Sequence, residues 1–470
     1  MGIINRTAGI ILRWWKSLFS AKDIESVFET KIATSPEEIE LRDTWRAAVM
    51  GDLPHNRHVP SMFRAALISS KVSKIVTLEE EVTVSGSDVA DFINDIFAHF
   101  RNDLTNGLRS GVEKCCRGGT VLLLAKPIED RIDLVIYENN EYFSLGYSDR
   151  GDLIDVVVPY SIEDGKTYYT LIGRYRYYKN EQQIHVTYKA FESADAHKLG
   201  HEIRLTSVDM WVGLSPDMIY NGQEESWFIE VSMPSKEAIF SKAIDLFRKL
   251  DEHKASEEAE FNNAKSKKII PVEMTRYNAG TGKLEFDNST QEYIFHDSDD
   301  HTISFYNPNI RNQNYAEGAN QIERDIEKAC EIAYGTISES AQQAKTATEI
   351  LSSKDVTFTT ISDIQKIWEA TLRKMAVAIR SISITFFGYR YGELEFVFKW
   401  NDGVPVDEKE ELEATKGTAA LLQVNQDIIT QQERRAYLLK RLPDVSTLTD
   451  EELAKASERL PMVQEEGGNI

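Results

Sequence analysis

Carboxylate and imidazole side chains cluster between residues 296 and 301, where the sequence reads His-Asp-Ser-Asp-Asp-His. Such groups are the oxygen and nitrogen ligands that divalent cations take in proteins. A metal-dependent hydrolase that uses Asp297, Asp299 and Asp300 is therefore one hypothesis for the function. An acidic turn exposed to solvent is the simpler interpretation, and we keep the hydrolase as the alternative.

A second stretch, Gly280-Thr281-Gly282-Lys283, has the glycines and the lysine of a phosphate-binding loop. That loop also needs a glycine five residues before its last one and a Ser or Thr directly after the lysine. Tyr277 and Leu284 occupy those two positions, so the sequence predicts a turn. HExxH, GxSxG and a cysteine paired with a placed histidine are also missing. We assign no catalytic residue, no metal ligand and no cofactor, and we expect that the protein is not an enzyme.

The composition describes a globular chain rather than a disordered one, with 41% hydrophobic and 28% charged residues. At 470 residues it exceeds one ordinary core, and about two to four structural regions are expected. The net charge of -22 argues against a protein that coats nucleic acid, because neutralising phosphates requires Lys and Arg. Cys115, Cys116 and Cys330 form neither a disulfide framework nor a CxxC pair, which fits a reducing interior.

The segment 3–19 combines Trp14 and Trp15 with flanking basic and aliphatic residues. A helix lying in a membrane interface is one interpretation. A terminal helix that docks on its own protein or on a neighbouring subunit is the interpretation we favour. Since no stretch reaches the ~18 apolar residues of a membrane span, no membrane partner is expected.

A helix, a short polar loop and a much longer helix are predicted between residues 315 and 383. Ile322, Ile326, Ala329 and Ala333 recur at helical spacing, and Gly335 follows as a stop signal. Thr346 and Glu349 have the spacing of a capping box and restart the helix. One apolar stripe then marks a helix long enough to be the spine of a domain, at Ile361, Ile364, Trp368, Leu372, Met375, Ile379 and Ile382.

The residues around this loop resemble the portal proteins of tailed bacteriophages, especially those of phages with Gram-positive hosts. The resemblance rests on Gly335-Thr336-Ile337-Ser338 and on Lys345-Thr346-Ala347-Thr348-Glu349-Ile350, which opens the long helix. It is most specific over residues 315 to 410. The order of elements extends it over nearly the whole chain, although 258–268 and the following module have no sequence typical of the family.

The resemblance implies an α+β, portal-type fold with a helical stem, a β-rich wing, a small α/β clip and a C-terminal helical crown, assembled as a ring. The resemblance assigns these parts to the strand-like runs and helical segments that the sequence predicts. The expected division is an N-terminal helical part of the wing (1–119), a β-rich wing region (120–230), a first stem helix (231–254), a clip (255–312), a second stem helix (313–335), a tunnel loop (336–345), a long helix with a wing strand (346–407) and a crown with its tail (408–470).

In that family the loop between the two helices projects into a DNA channel. The resemblance therefore implies DNA-channel residues in this loop, at Ser338, Glu339, Ser340, Gln342, Gln343 and Lys345. Short polar side chains can exchange hydrogen bonds with a moving phosphate backbone, and one Lys per subunit does not make a continuous basic track. An acidic wall around them would let double-stranded DNA slide rather than bind.

The partners implied by the resemblance are further copies of the chain in a dodecameric ring, the double-stranded DNA that passes through it, the terminase large subunit, the major capsid or scaffolding protein and head-tail adaptor proteins. The implied location is the portal vertex of the virion, after assembly in the host cytoplasm. The implied function is DNA packaging and ejection.

Overall fold

The computed structural model describes residues 21–400 except 56–58, 79, 129–130, 197, 265–266, 272–275, 281, 286–292, 297–303, 307–308, 334 and 339–346. These residues belong to the first of two compact units, Met1–Gly403, and the second unit, Val404–Ile470, lies outside the description. The segment 3–19, the acidic residues Asp297, Asp299 and Asp300, and the expected C-terminal crown also lie outside it. Within the described part the fold is α+β, with helices and open sheets.

The N-terminal part is mainly helical. The sequence Ser35-Pro36-Glu37-Glu38 predicts a helix start, and the second helix begins there. The Ser35 hydroxyl accepts a hydrogen bond from the Glu38 N–H at 3.2 Å, and Pro36 occupies the first helical position. The elements are α1 (Ala21–Phe28), α2 (Pro36–Met50), α3 (Arg64–Val76), β1 (Glu81–Ser85), α4 (Ala90–Asn102) and α5 (Leu108–Gly118).

Apolar residues at successive i+4 steps predict one helix between residues 89 and 114, at Phe92, Ile96, Phe100, Leu104 and Leu108. This prediction is wrong, because the chain breaks between α4 and α5. The Asp103 carboxylate accepts hydrogen bonds from the N–H groups of Thr105 and Asn106, which turns the chain. Gly107 then lies so close to the end of α4 that a Cβ there would be 1.9 Å from the Phe100 carbonyl oxygen. Leu104 continues the apolar spacing in sequence, yet it is 73% exposed in this turn.

Strands fill the segment predicted to be β-rich and form two antiparallel sheets. One has the order β10-β2-β3, and the other has the order β4-β5-β6-β7-β8 with β9 also pairing with β7. The tyrosines of this region, such as Tyr175 and Tyr177, predict aromatic packing between neighbouring strands rather than stacking on nucleic-acid bases. Such packing is present, since the rings of Tyr175 and Tyr188 meet edge to face with their hydroxyls 3.2 Å apart. The strands are β2 (Thr120–Ile128), β3 (Arg131–Glu138), β4 (Phe143–Tyr147), β5 (Leu153–Asp164), β6 (Thr167–Tyr178), β7 (Gln183–Ser193), β8 (His201–Ile203), β9 (Asp217–Asn221) and β10 (Phe228–Ser232).

A small strand module lies between α6 (Ile244–Asn263) and α7 (Asn312–Ala329). Its strands pair in the order β14-β11-β15, and β12 and β13 form a separate hairpin. The turn predicted from the glycine-rich stretch is confirmed, because Asn278 accepts hydrogen bonds from the N–H groups of Gly280 and Gly282 between β12 and β13. The strands are β11 (Lys267–Pro271), β12 (Arg276–Asn278), β13 (Lys283–Glu285), β14 (Tyr293–His296) and β15 (Ser304–Tyr306).

The bounds of α6 and α7 differ from those expected for the stem helices. Ser235 does not begin a helix, because Lys236 has a left-handed backbone (φ 58°) and Ile239 donates its N–H to the Cys116 carbonyl of α5. The helix therefore begins at Ile244 and continues to Asn263. At the other end of the module, α7 ends at Ala329, since Glu331 also has a positive φ of 56°.

The long helix α8 (Ala347–Phe387) has 41 residues, which corresponds to about 60 Å at 1.5 Å per residue. The predicted apolar stripe is confirmed, since all seven of its residues are at most 2% exposed. The strand predicted after this helix is β16 (Glu395–Lys399), which pairs antiparallel with β1. The outer edge of β1 is occupied by Asn94 of α4, whose side-chain amide forms hydrogen bonds of 2.8 Å with both the N–H and the carbonyl of Val84.

Candidate functional site

Helices α6 and α7 run antiparallel and form the framework of the candidate site. Lys242, just before α6, forms an ion pair with Glu331 at 3.0 Å, and His253 in the middle of α6 donates a hydrogen bond to the Tyr315 carbonyl at 2.9 Å. Gly318 allows this approach, because a Cβ there would lie 2.8 Å from the His253 ring. The buried residues between the helices include Phe247, Leu250, Ala319, Ile322 and Ile326.

The two ends of the strand module meet at an ion pair between Glu260 and Arg311. The Arg311 guanidinium donates to both carboxylate oxygens, at 3.1 and 2.5 Å, and its backbone N–H donates to one of them at 3.1 Å. These hydrogen bonds lower the pKa of Glu260 to about 2. The chain therefore leaves α6 for the strand module and returns from it to α7 at one place, which this ion pair fixes.

The start of α3 and the residues just before it contact both helices of the pair. The Met62 N–H, two residues before α3, donates to the Asp251 carboxylate of α6 at 2.8 Å, and Arg64, the first residue of α3, forms an ion pair with Glu323 of α7. Burial raises the pKa of Asp251 despite the hydrogen bond from Met62. Two turns later, the Lys71 ammonium donates to the Thr336 carbonyl beyond the end of α7. The segment from Met62 to Lys71 thus contacts α6, α7 and the residues that lead to the predicted loop.

The segment 335–338 wraps around the carboxylate of Glu327, which is on α7 and only 1% exposed. One oxygen accepts from the N–H groups of Ile337 at 2.6 Å and Ser338 at 3.0 Å. The other accepts from the Gly335 N–H at 3.2 Å and from the Ser338 hydroxyl at 2.6 Å. Four donors of one short segment therefore converge on a single buried side chain.

Helix α8 completes this anchor from the far side of the loop. The Thr357 hydroxyl accepts the Ala333 N–H, and the Thr360 hydroxyl donates to the Glu331 carbonyl at 2.9 Å. Ala347 to Thr357 extends about 15 Å beyond these contacts along the helix axis. The end of α7 and the body of α8 are therefore joined by hydrogen bonds, and the loop between the helices begins from this junction.

The structure describes only the first of the predicted loop residues. Ser338 is 5% exposed and binds Glu327, so within the subunit it anchors the start of the loop. Glu339, Ser340, Gln342, Gln343 and Lys345 lie outside the described residues, as does the capping box at Thr346. Contact between this loop and DNA stays a prediction.

The sequence did not predict the part played by Glu327 and Lys71. A weak signal exists, because Glu323 and Glu327 directly follow Ile322 and Ile326 and so border the apolar face of α7. A carboxylate at such a position needs hydrogen-bond donors, but sequence spacing does not identify them. Their source lies eight to eleven residues further along the chain.

The exposed faces of α6 and α7 carry more carboxylates than cations. The exposed charged residues of these two helices are Asp245, Lys249, Glu252, Glu258, Glu317, Asp325 and Lys328. Within the described residues there is no cluster of three His, Cys, Asp or Glu side chains suited to a metal ion. In the part of the chain that the structure describes, no helix is long and apolar enough to span a membrane.

No protein-family model matches the chain, and no curated protein matches it. Among solved structures, the chain is similar to a chain from the neck of a native gene transfer agent particle computed with C12 symmetry, with 10% identity, 89% of this chain and 98% of that one covered, and a TM-score of 0.41. A chain from the virion of the native particle has 11% identity over 89% and 99%, with a TM-score of 0.39. A chain from the neck of the empty particle computed with C6 symmetry has 12% identity over 84% and 93%, also with a TM-score of 0.39.

Proposed function

We propose that the chain is the subunit of a phage portal ring through which double-stranded DNA enters and leaves the capsid. The observation behind this proposal is the antiparallel pair α6 and α7, with a strand module at one end and an anchored loop leading into the 41-residue α8 at the other. In the ring, α6 and α7 form the stem, the module forms the clip, and the tunnel loop (336–345) projects into the channel.

The charge of the helix pair suits passage of DNA better than retention. A wall rich in Lys and Arg would neutralise phosphates and hold the duplex with a steep salt dependence. The exposed faces of α6 and α7 are instead mainly acidic, and the whole chain carries a net charge of -22. At a Debye length of about 8 Å in physiological salt, this repulsion acts only close to the wall.

The proposal also includes the partners. Further copies of the chain close a dodecameric ring by heterologous contacts, which are the kind that make rings when the rotation closes. The terminase large subunit docks on the strand module during packaging, and adaptor proteins replace it afterwards. The wing contacts the major capsid or scaffolding protein at one vertex of a virion assembled in the host cytoplasm.

Imaging of the purified full-length chain by negative-stain electron microscopy tests this proposal. We expect rings with a central hole, and chemical cross-linking should give ladders far beyond a dimer. A chain that stays monomeric or dimeric at micromolar concentration in both measurements would overturn the portal assignment. Chelator-sensitive hydrolysis by such a monomer would instead favour the enzyme hypothesis for Asp297, Asp299 and Asp300.

A further inference from the structure

We propose that Glu327 is the positioning residue of the channel loop. Its buried carboxylate holds residues 335–338 in one conformation and thereby fixes the start of the proposed channel loop. This inference rests on the proposed function, because it is the portal channel that gives the loop its role. The anchor itself is a property of the subunit and is measurable without a ring.

The chemistry of the contact favours a carboxylate. Four groups donate to Glu327, namely the N–H groups of Gly335, Ile337 and Ser338 and the Ser338 hydroxyl. A carboxylate has two acceptor oxygens and no donor, so it satisfies all of them. A glutamine has one acceptor oxygen and no charge, so the bonds to the N–H groups of Ile337 and Ser338 would lose their charge-assisted strength even where that oxygen faces them. The Gly335 N–H would keep a second acceptor, the Ser338 hydroxyl oxygen at 3.2 Å.

The cost of burying this carboxylate argues for a positional role. Glu327 follows Ile326 on the buried face of α7. An apolar side chain at this position would pack without the free-energy cost of removing a charged group from water. An apolar contact, however, tolerates sliding, whereas four short directional bonds fix both the place and the orientation of the segment. A buried charge is therefore suited to setting the exit direction of a loop.

Contacts from two other helices converge on the same junction. Lys71 of α3 binds the Thr336 carbonyl, which belongs to the segment held by Glu327. From α8, Thr357 accepts the Ala333 N–H just before it. The segment is thus fixed relative to α3, α7 and α8, and Glu327 supplies the largest share of its hydrogen bonds.

Hydrogen exchange in Glu327→Gln measures the anchor directly. We expect the amides of Ile337 and Ser338 to exchange roughly ten- to a hundred-fold faster than in the wild-type chain, because charge-assisted bonds in a buried place are lost. The matched control is Glu323→Gln, one turn earlier on α7, which removes another buried carboxylate but pairs with Arg64 rather than with the loop segment. Ser338→Ala removes one donor of the four and serves as a milder variant if Glu327→Gln does not fold.

The loop's role is tested in assembled particles. Glu327→Gln rings with normal appearance should package or retain less DNA, whereas Glu323→Gln rings should not show this loss. Three results would each overturn the proposal. The first is unchanged hydrogen exchange at residues 335–338, and the second is an acceleration that is equal throughout the chain and equal in the control variant. The third is faster exchange at residues 335–338 with normal DNA packaging. If the wild-type chain forms no rings, the portal function fails, and the exchange experiment still decides whether Glu327 holds the segment.

Discussion

The Glu260 carboxylate and the Arg311 guanidinium form a bidentate ion pair that joins the end of α6 to the residue before α7. Fifty-one positions separate the two residues in sequence, and the strand module lies between them. The pair therefore holds the two ends of the strand module together where they join α6 and α7.

The contribution of this pair to stability should depend on pH. The folded pKa of Glu260, about 2, is below the ordinary value of 4.5. Stability from the pair is therefore complete above about pH 5 and is lost as the pH falls through about 2. The melting temperature of Glu260→Gln should be lower than that of the wild-type chain at pH 7, and the difference should shrink in acid. Asp245→Asn, at an exposed pair within α6, is the control. A difference that stays constant down to pH 2 would contradict this account.

Replacing Lys71 by methionine should loosen the junction from the side of α3. The variant loses the hydrogen bond to the Thr336 carbonyl, and we expect a loss of about 1 kcal/mol in the free energy of unfolding. Denaturant titration measures this loss. Lys74→Met, at an exposed position of the same helix, should change stability much less, and equal effects of the two variants would argue against the contact.

Gly107→Ala should destabilise the turn between α4 and α5. The added Cβ would lie 1.9 Å from the Phe100 oxygen and 2.2 Å from the Asp103 oxygen, both of them backbone atoms that cannot rotate away. We expect a loss of about 2 kcal/mol or more in thermal unfolding experiments. Gly146→Ala is the matched control, because its Cβ would meet only ordinary contacts at 3.5 and 3.9 Å. A stable Gly107→Ala chain would show that the turn rearranges.

Changes at Gln342 and Gln343 test the loop's place in the channel. If these residues lie at the narrowest point of the channel, as we propose, replacement of both by Trp or by Glu should reduce packaged DNA in rings that assemble normally, because bulk or negative charge there opposes the phosphate backbone. Packaged DNA per particle is the measurement. Gln183→Glu on β7, away from the loop, is the control. Normal packaging by intact rings of the Trp and Glu variants would refute the assignment.

Free duplex DNA should bind the isolated protein weakly, and the affinity should change little with salt. Few phosphate contacts release few counterions, so the slope of log affinity against log salt stays shallow. Fluorescence anisotropy with a labelled duplex at several salt concentrations measures both quantities. Tight binding with a steep salt dependence would be incompatible with a channel through which DNA slides.

The parts of the fold that the sequence predicted correctly are those with one strong local signal. The stripe that includes Trp368 and Met375 defines α8 because burial on one helix face leaves a period in the sequence. The same rule failed at Leu104, whose spacing fits a helix although Asp103 turns the chain. It also placed the start of α6 too early, because the contact between Ile239 and α5 is distant in sequence.

The anchor of the loop illustrates the limit for the candidate site. The role of the polar loop residues was predicted from the family resemblance of the residues on either side of them, and it stays a prediction. Glu327 could not be predicted, because its partners are backbone N–H groups, and every residue except proline has one. The types of residues in the sequence therefore do not identify the side chain that accepts from such N–H groups. Only the path of the folded chain identifies it.

The side chain of Asn94 has a consequence for how copies of this chain meet. The Asn94 side chain donates one hydrogen bond to Val84 and accepts one from it, as a residue of a neighbouring antiparallel strand would. Exposed strand edges invite pairing between molecules, and in the ring that we propose many copies of this edge would lie close together. Because Asn94 binds both backbone groups of Val84, this residue of β1 offers neither donor nor acceptor to a strand of another copy.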